Sequence, residues 1–91
     1  MAEKAPVVAP LELARWRWRE VRRFLDQPES FDPDAALEVL EEFPLLRAHL
    51  RELYAQDPEA ALRLAQEILA ERERLLAAGF LVPETAEALL A

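Results

Sequence analysis

The stretch between Asp57 and Gly79 constrains the fold of this chain more than any other. It opens with Asp57-Pro58 and closes at Gly79, the only glycine among 91 residues. Asp is a favoured N-cap, and Pro is tolerated at the first helical position because the N–H missing there has no helical partner. Glycine ends helices because it enters the left-handed conformation easily. The pattern predicts one helix of about 21 residues, roughly 31 Å long, on which the rest of the chain packs.

Between these two signals, apolar residues recur at the spacing of one helix face. They are Ala61, Leu64, Ala65, Ile68, Leu69, Leu75 and Leu76. Arg72 falls within the same stripe, so we expect its aliphatic stem to pack there while its head reaches water or a carboxylate. Phe80 follows the glycine and is expected to fold back on Leu75.

The rest of the composition favours helices as well. Ala, Leu, Glu and Arg dominate, and the alternating Val/Ile/Thr-rich runs of strands are almost absent. We therefore predict an all-α fold, a small bundle of four main helices plus a short C-terminal helix. Residues 11–91 form this single helical domain. Residues 1–10, which include Pro6 and Pro10, are predicted to be an extended or disordered arm that lies free or along a partner.

Proline positions set the other predicted boundaries. The other helices are predicted at residues 11–27, 33–43 and 44–56, with a short last helix from residue 83. Pro44 is expected to stop or sharply kink a helix, because it lacks an N–H and its ring clashes with the preceding turn. Asp32-Pro33 resembles Asp57-Pro58, and two copies of a good helix start explain this more simply than a duplicated hairpin.

Apolar spacing assigns the inward faces of these helices. The first helix is expected to bury Leu11, Ala14, Trp18, Val21 and Leu25. The later helices are expected to bury Ala36, Leu37, Leu40, Phe43, Leu46, Leu50, Leu53, Tyr54, Ala86, Leu89 and Leu90.

Several classes of protein are disfavoured. The chain has no cysteine, which excludes disulfides and thiolate metal sites. No apolar run approaches the roughly 18 residues of a membrane span, and no signal peptide is recognisable, so a cytoplasmic protein is expected. Asn is absent and Arg outnumbers Lys ten to one, a composition that suits a thermophile or a high-GC genome.

Chemistry-bearing residues are sparse. His49 and Glu52 share a helix face, but one histidine and one carboxylate are too few for a metal site. Ser30 and Thr85 lack a recognisable base, and a single glycine excludes a Gly-rich phosphate loop. We therefore expect no enzymatic activity, no metal and no cofactor.

The first helix carries the one unusual feature, its charge. Residues 11–25 hold five arginines against Glu12 and Glu20, a local charge of +3, whereas residues 26–91 hold five arginines against fifteen acids, a charge of −10. Arg15, Arg19 and Arg22 form a row beside the apolar stripe, with Trp16 and Arg23 beyond it. The chain is thus a basic, Trp-bearing helix on an acidic body.

Three interpretations of this helix compete. In the first, the arginine row pairs with acids of the chain itself, residues 26–42 being the obvious source. In the second, Arg15, Trp16, Arg19, Arg22 and Arg23 dock a protein partner, because Trp and Arg are enriched at binding hot spots. In the third, the row contacts nucleic acid phosphates and Trp16 stacks on a base, although the acidic body repels a polyanion.

Other binding modes fit less well. A helix-turn-helix around Phe43-Pro44 lacks a glycine-containing turn and offers only Arg47 and Arg51 for reading DNA. Membrane binding would compete with the core for the apolar stripe of the first helix. The sequence therefore predicts a non-enzymatic interaction module, such as an adaptor, an assembly factor or an inhibitor of a larger complex. Its partner is another protein with an acidic surface, or a second copy of the chain, and the alternative is a nucleic-acid-associated protein.

Salt dependence distinguishes the two predicted functions. Phosphate binding weakens linearly on a log–log plot, with a slope of about −0.9 per neutralised phosphate on duplex DNA. A protein contact centred on Trp16 should depend less on salt and be lost in Trp16→Ala.

Overall fold

The computed structural model describes residues 9–91, and within them the chain forms helices and turns without a strand. The helices are α1 (Pro10–Asp26), α2 (Pro33–Gln56), α3 (Pro58–Leu69), α4 (Arg72–Ala78) and α5 (Ala86–Leu90), with one turn of 3₁₀-helix at Pro28–Ser30. This confirms the predicted all-α bundle of four main helices and a short last one. Most of the predicted arm, residues 1–8, lies outside the described residues, and Pro10 is already the first residue of α1.

Side-chain caps begin three of the helices. Asp32 and Asp57 each accept a hydrogen bond from the backbone N–H three residues ahead, at 2.8 and 3.2 Å. Both are followed by Pro at the first helical position, so the two Asp-Pro pairs act as helix starts. The prediction that the last helix begins at Pro83 is wrong, because Thr85 caps it and Ala86 is its first residue.

α2 runs through Pro44 without ending, so the two predicted helices are one helix of 24 residues. Its buried residues are Val39, Phe43, Leu46, Leu50 and Leu53. They alternate at spacings of four and three, so the same face meets the core before and after the proline. Pro44 itself is exposed, so its ring lies off the buried face of α2. Continuous burial of this stripe outweighs the roughly 3 kcal/mol that proline costs inside a helix.

The continuous α2 also changes which of its residues are buried. Leu37 is 58% exposed and Tyr54 is 46% exposed, whereas Val39 is buried, so the predictions for Leu37 and Tyr54 are wrong. A separate helix over residues 33–43 could have rotated Leu37 inward. In one continuous helix the rotation is set by the whole stripe from Val39 to Leu53.

The predicted long helix, in contrast, is two helices with a break at Ala70 and Glu71. Glu71 has φ −103° and ψ 17°, and its N–H bonds to the carbonyl of Ile68, three residues back instead of four. The spacing of seven from Ile68 to Leu75 suits an uninterrupted helix, so the sequence showed no sign of this break. After it, Arg74 of α4 reaches Asp26 at the end of α1, with 2.6 Å between Nη2 and Oδ1.

Gly79 ends α4 as predicted. Its φ is +102°, in the left-handed region, and its N–H bonds to the carbonyl of Leu76 at 3.1 Å. The N–H of Phe80 bonds to the carbonyl of Leu75 at 3.0 Å. These two bonds define a Schellman motif. Leu75 and Phe80 are both buried and belong to the same hydrophobic core.

Arginines attach the C-terminal segment to the bundle. The Nε of Arg72 donates to the carbonyl of Pro83 at 3.1 Å, so its head contacts the backbone, and among residues 9–91 it pairs with no carboxylate. Arg47 and Arg51 of α2 donate to main-chain oxygens at Ala88 and Ala91, at 3.3 and 2.6 Å. Positive side chains at a helix C-terminus satisfy carbonyls that have no helical partner.

Candidate functional site

The rotation of α1 about its own axis decides where its arginines point. Ala14, Trp18 and Val21 are buried, as the sequence predicts, and Leu11 and Leu25 are half-buried. The Nε1 of Trp18 donates to Oε2 of Glu67 on α3 at 2.8 Å. With one face held in this way, the neighbouring row of arginines faces the space beside α3.

That row lines a groove between α1 and α3 with a volume of about 430 Å³. Its lining residues are Arg15, Trp18, Arg19, Arg22, Arg23, Asp26, Leu64 and Glu67. The four arginines are exposed, whereas Trp18 and Leu64 are buried and form an apolar floor. The structure therefore brings four of the five predicted binding residues into one concave site, which we call the arginine groove.

Both acids of the arginine groove already have partners. Glu67 accepts the hydrogen bond of Trp18. Oδ1 of Asp26 accepts a hydrogen bond from Nη2 of Arg74 at 2.6 Å. This bond is the largest cause of the raised pKa of Arg74, and the nearby Glu71 raises the pKa further. Neither carboxylate comes within 4.0 Å of the guanidinium of Arg15, Arg19 or Arg22, so neither forms an ion pair with that row.

Self-pairing explains only part of the basic helix. Arg17, on the other side of α1, pairs with Glu42 at 3.2 Å, and Arg23 pairs with Glu20 at 3.6 Å. Among residues 9–91, no carboxylate oxygen comes within 4.0 Å of the guanidinium of Arg15, Arg19 or Arg22. The part of the chain that the structure describes thus leaves the central row without an ion-pair partner.

Trp16 lies apart from the arginine groove. It is 48% exposed and does not line the groove. The guanidinium of Arg17 lies 5.4 Å from the centre of its ring, a cation–π distance, and Arg23 lies 5.1 Å from the ring of Phe31. Trp16 is therefore available at the surface of the described chain, on the outer side of α1 beyond the row.

A second depression continues the arginine groove towards the start of α1. It has a volume of about 340 Å³ and shares Arg15, Leu64 and Glu67 with the groove. Its other lining residues are Leu11, Asp57, Ala60 and Arg63. We call the two together the α1–α3 valley. The wall that α3 contributes could not be found from the sequence, which carried no signal that α1 and α3 lie side by side.

Ser30 and Thr85, the possible nucleophiles, make only local hydrogen bonds within the part of the chain that the structure describes. Thr85 caps α5, and the hydroxyl of Ser30 makes a local 3.5 Å hydrogen bond to Gln27. Within residues 9–91, no three His, Asp or Glu side chains are grouped so that they could hold a metal ion. None of the helices in that range is both long enough and apolar enough to cross a bilayer.

The chain matches no protein-family model, no curated protein and no solved structure. Its function is therefore argued from the charge, burial and geometry of the α1–α3 valley.

Proposed function

We propose that this protein is a non-enzymatic interaction module, an adaptor, assembly factor or inhibitor, that docks an acidic segment of another protein in the arginine groove. The observation that carries the proposal is the row Arg15, Arg19 and Arg22, which has no carboxylate within ion-pair distance among residues 9–91. Three neighbouring guanidinium groups repel one another, and a bound carboxylate relieves that repulsion.

The chemistry of the lining favours carboxylates. Arginine presents a planar fork of donors that binds a carboxylate through two parallel hydrogen bonds. The buried Trp18 and Leu64 at the floor give the groove an apolar strip between charged walls. A protein segment with acidic and apolar side chains complements both features.

The acidic body of the chain disfavours nucleic acid as the ligand. Residues 26–91 carry five arginines against fifteen acids, a charge of −10, close behind the basic helix. A nucleic acid duplex extends well beyond one groove and meets this negative field within a Debye length of about 8 Å. A short acidic segment that ends at the groove avoids most of this repulsion.

Charge-removing variants test the proposal. A triple variant with Arg15→Gln, Arg19→Gln and Arg22→Gln should lose binding to a fluorescently labelled peptide of Glu, Leu and Ala, measured by anisotropy. The three side chains are exposed, so the variant is expected to keep its fold. A labelled DNA duplex serves as the competing probe. Tight DNA binding with a steep salt slope, together with weak peptide binding, would favour the nucleic-acid-associated alternative.

A matched control distinguishes the effect of the arginine groove on peptide binding from the effect of the net charge of the chain. Replacing Ala55, Gln56 and Gln66 by Glu also makes the chain three charges more negative, at exposed positions that do not line the valley. This control should bind the acidic peptide almost as well as the native chain. Equal losses in the two triple variants would mean that binding reflects overall charge and not the groove.

A further inference from the structure

The shape of the α1–α3 valley indicates what form its occupant takes. The lining runs along α1 from Leu11 to Asp26, which at 1.5 Å per residue is about 22 Å. α1 packs mainly on α2 and meets α3 at few points, so the two helices leave an open channel between them. A groove of this length between two helices typically accommodates a third helix.

The chemistry of the valley is arranged in strips. Leu11, Ala60 and Leu64 give an apolar floor, to which the buried ring of Trp18 adds. Arg15, Arg19, Arg22 and Arg23 stand along the α1 side, whereas Arg63 and Glu67 of α3 and its N-cap Asp57 line the other side. An amphipathic helix presents one apolar row and one charged row side by side, which is the pattern that such strips require.

The spacing of the arginines distinguishes a helix from an extended segment. Arg15, Arg19 and Arg22 are four and three residues apart, so they rise by about 6.0 and 4.5 Å along α1, roughly 10.5 Å in total. An extended strand repeats its side chains on one face about every 6.6 Å. Three such side chains span roughly 13 Å, so they do not match the positions of the three arginines. A helix with carboxylates at positions i, i+3 and i+7 spans about 10.5 Å as well, with the two intervals in reverse order.

We infer that the docked segment is an amphipathic acidic helix that lies antiparallel to α1 in the α1–α3 valley. Its carboxylates at i, i+3 and i+7 meet Arg22, Arg19 and Arg15 in that order, and an apolar side chain beside them contacts Leu64. The antiparallel direction sets the helix dipoles in a favourable arrangement. The inference rests on the proposed function, since it specifies the acidic segment that the arginine groove takes.

Two peptides of identical composition test the inference. The matched peptide has Glu at i, i+3 and i+7 and Leu beside them. The shifted peptide has its three Glu at i, i+2 and i+5, so that they no longer share one helix face. Both are built on the same Ala-rich helix, and circular dichroism checks that they are equally helical. The matched peptide should bind the native chain about tenfold more tightly, as expected for three ion pairs in register.

Single variants locate the register. Arg19→Gln removes the middle contact. The variant should therefore lose most of the difference in affinity between the matched and the shifted peptide. Arg51→Gln, on α2 and outside the valley lining, should leave the ratio between the two peptides nearly unchanged.

Each other outcome has a definite meaning. Equal binding of both peptides, lost in the triple Gln variant, would overturn the helical register and leave the proposed function standing. Equally tight binding of a proline-containing, non-helical peptide of the same charge would also overturn it. No binding of any acidic peptide would overturn the inference and the proposed function together.

A second copy of the chain is the remaining occupant to exclude. Asp34, Glu38 and Glu41 form an exposed acidic row on α2, beside the exposed Leu37. Light scattering of the native chain and of the triple Gln variant addresses this directly. A native dimer that becomes monomeric in the triple variant would assign the valley to a second copy and overturn the inference of a separate partner helix.

Discussion

The indole nitrogen of Trp18 donates a 2.8 Å hydrogen bond to Oε2 of Glu67 across the space between α1 and α3. The ring of Trp18 is only 3% exposed, so this bond satisfies a polar group that is otherwise buried. Together with the burial of Ala14 and Val21, it sets the rotation of α1, and therefore the direction in which the neighbouring arginines point. The same contact thus stabilises the bundle and shapes the floor of the arginine groove.

Removing the acceptor should destabilise the fold. Glu67→Ala leaves the buried Trp18 N–H without a partner, and we expect the free energy of unfolding to fall by about 1–2 kcal/mol. Urea denaturation followed by circular dichroism measures this change. Glu67→Gln should lose less than half as much, because the amide oxygen can still accept the bond. Gln66→Ala, at the exposed neighbouring position, is the control and should change stability very little.

Replacing Pro44 should stabilise the chain. In Pro44→Ala the carbonyl of Leu40 regains a helical donor, and the gain of up to about 3 kcal/mol is partly offset by a more flexible unfolded chain. We expect the free energy of unfolding to rise by about 1–2 kcal/mol. Thermal and urea denaturation of the variant measure it.

Pro33→Ala is the matched control for that variant. Pro33 occupies the first position of α2, where its missing N–H has no helical partner, so its replacement should change stability by less than about 0.5 kcal/mol. If Pro44→Ala behaved like Pro33→Ala, Pro44 would begin a helix and α2 would not be continuous.

Gly79 should resist substitution for a conformational reason. A Cβ placed there would meet only Cδ2 of Leu40, at 3.9 Å, which is an ordinary contact. Gly79→Ala should nevertheless lower the free energy of unfolding by about 1–2 kcal/mol, because a side chain disfavours the left-handed backbone. Gly79→Asn should lose less, since Asn adopts this conformation more readily. Equal losses for Ala and Asn in urea denaturation would contradict a conformational origin.

The two tryptophans should respond differently to a quencher. Trp16 is 48% exposed and Trp18 is 3% exposed, so acrylamide should quench mainly the fluorescence of Trp16. The Trp16→Phe variant retains Trp18 alone and should emit at shorter wavelength, with weak quenching. Strong quenching of Trp18 in this variant would mean that α1 does not pack on the core as described.

Local signals in the sequence were sufficient for the fold class and several helix ends. Asp32, Asp57 and Gly79 act within one turn of their own positions, so their effects do not depend on distant residues. The apolar stripe of α1 was predicted correctly for the same reason, because its spacing of three and four fits one uninterrupted helix.

The errors arise where distant packing competes with a local signal. Pro44 predicted a helix boundary, but the stripe from Val39 to Leu53 stays in register across it and favours a continuous helix. Glu71 carried no local signal for a break, yet the chain turns there, and Arg74 then reaches Asp26. The predicted number of main helices was correct because one merger and one division cancel.

For the candidate site, the sequence by itself determined the row of arginines, since helical spacing alone places Arg15, Arg19 and Arg22 on one side of α1. Only the tertiary structure decided that α3 stands beside this row and that Trp18 and Leu64 form an apolar floor. It also decided that Asp26 and Glu67 are engaged elsewhere, and that Trp16 lies outside the arginine groove. The physical reason is that helix periodicity is a property of neighbouring residues, whereas a groove depends on which surfaces the burial of the whole core brings together.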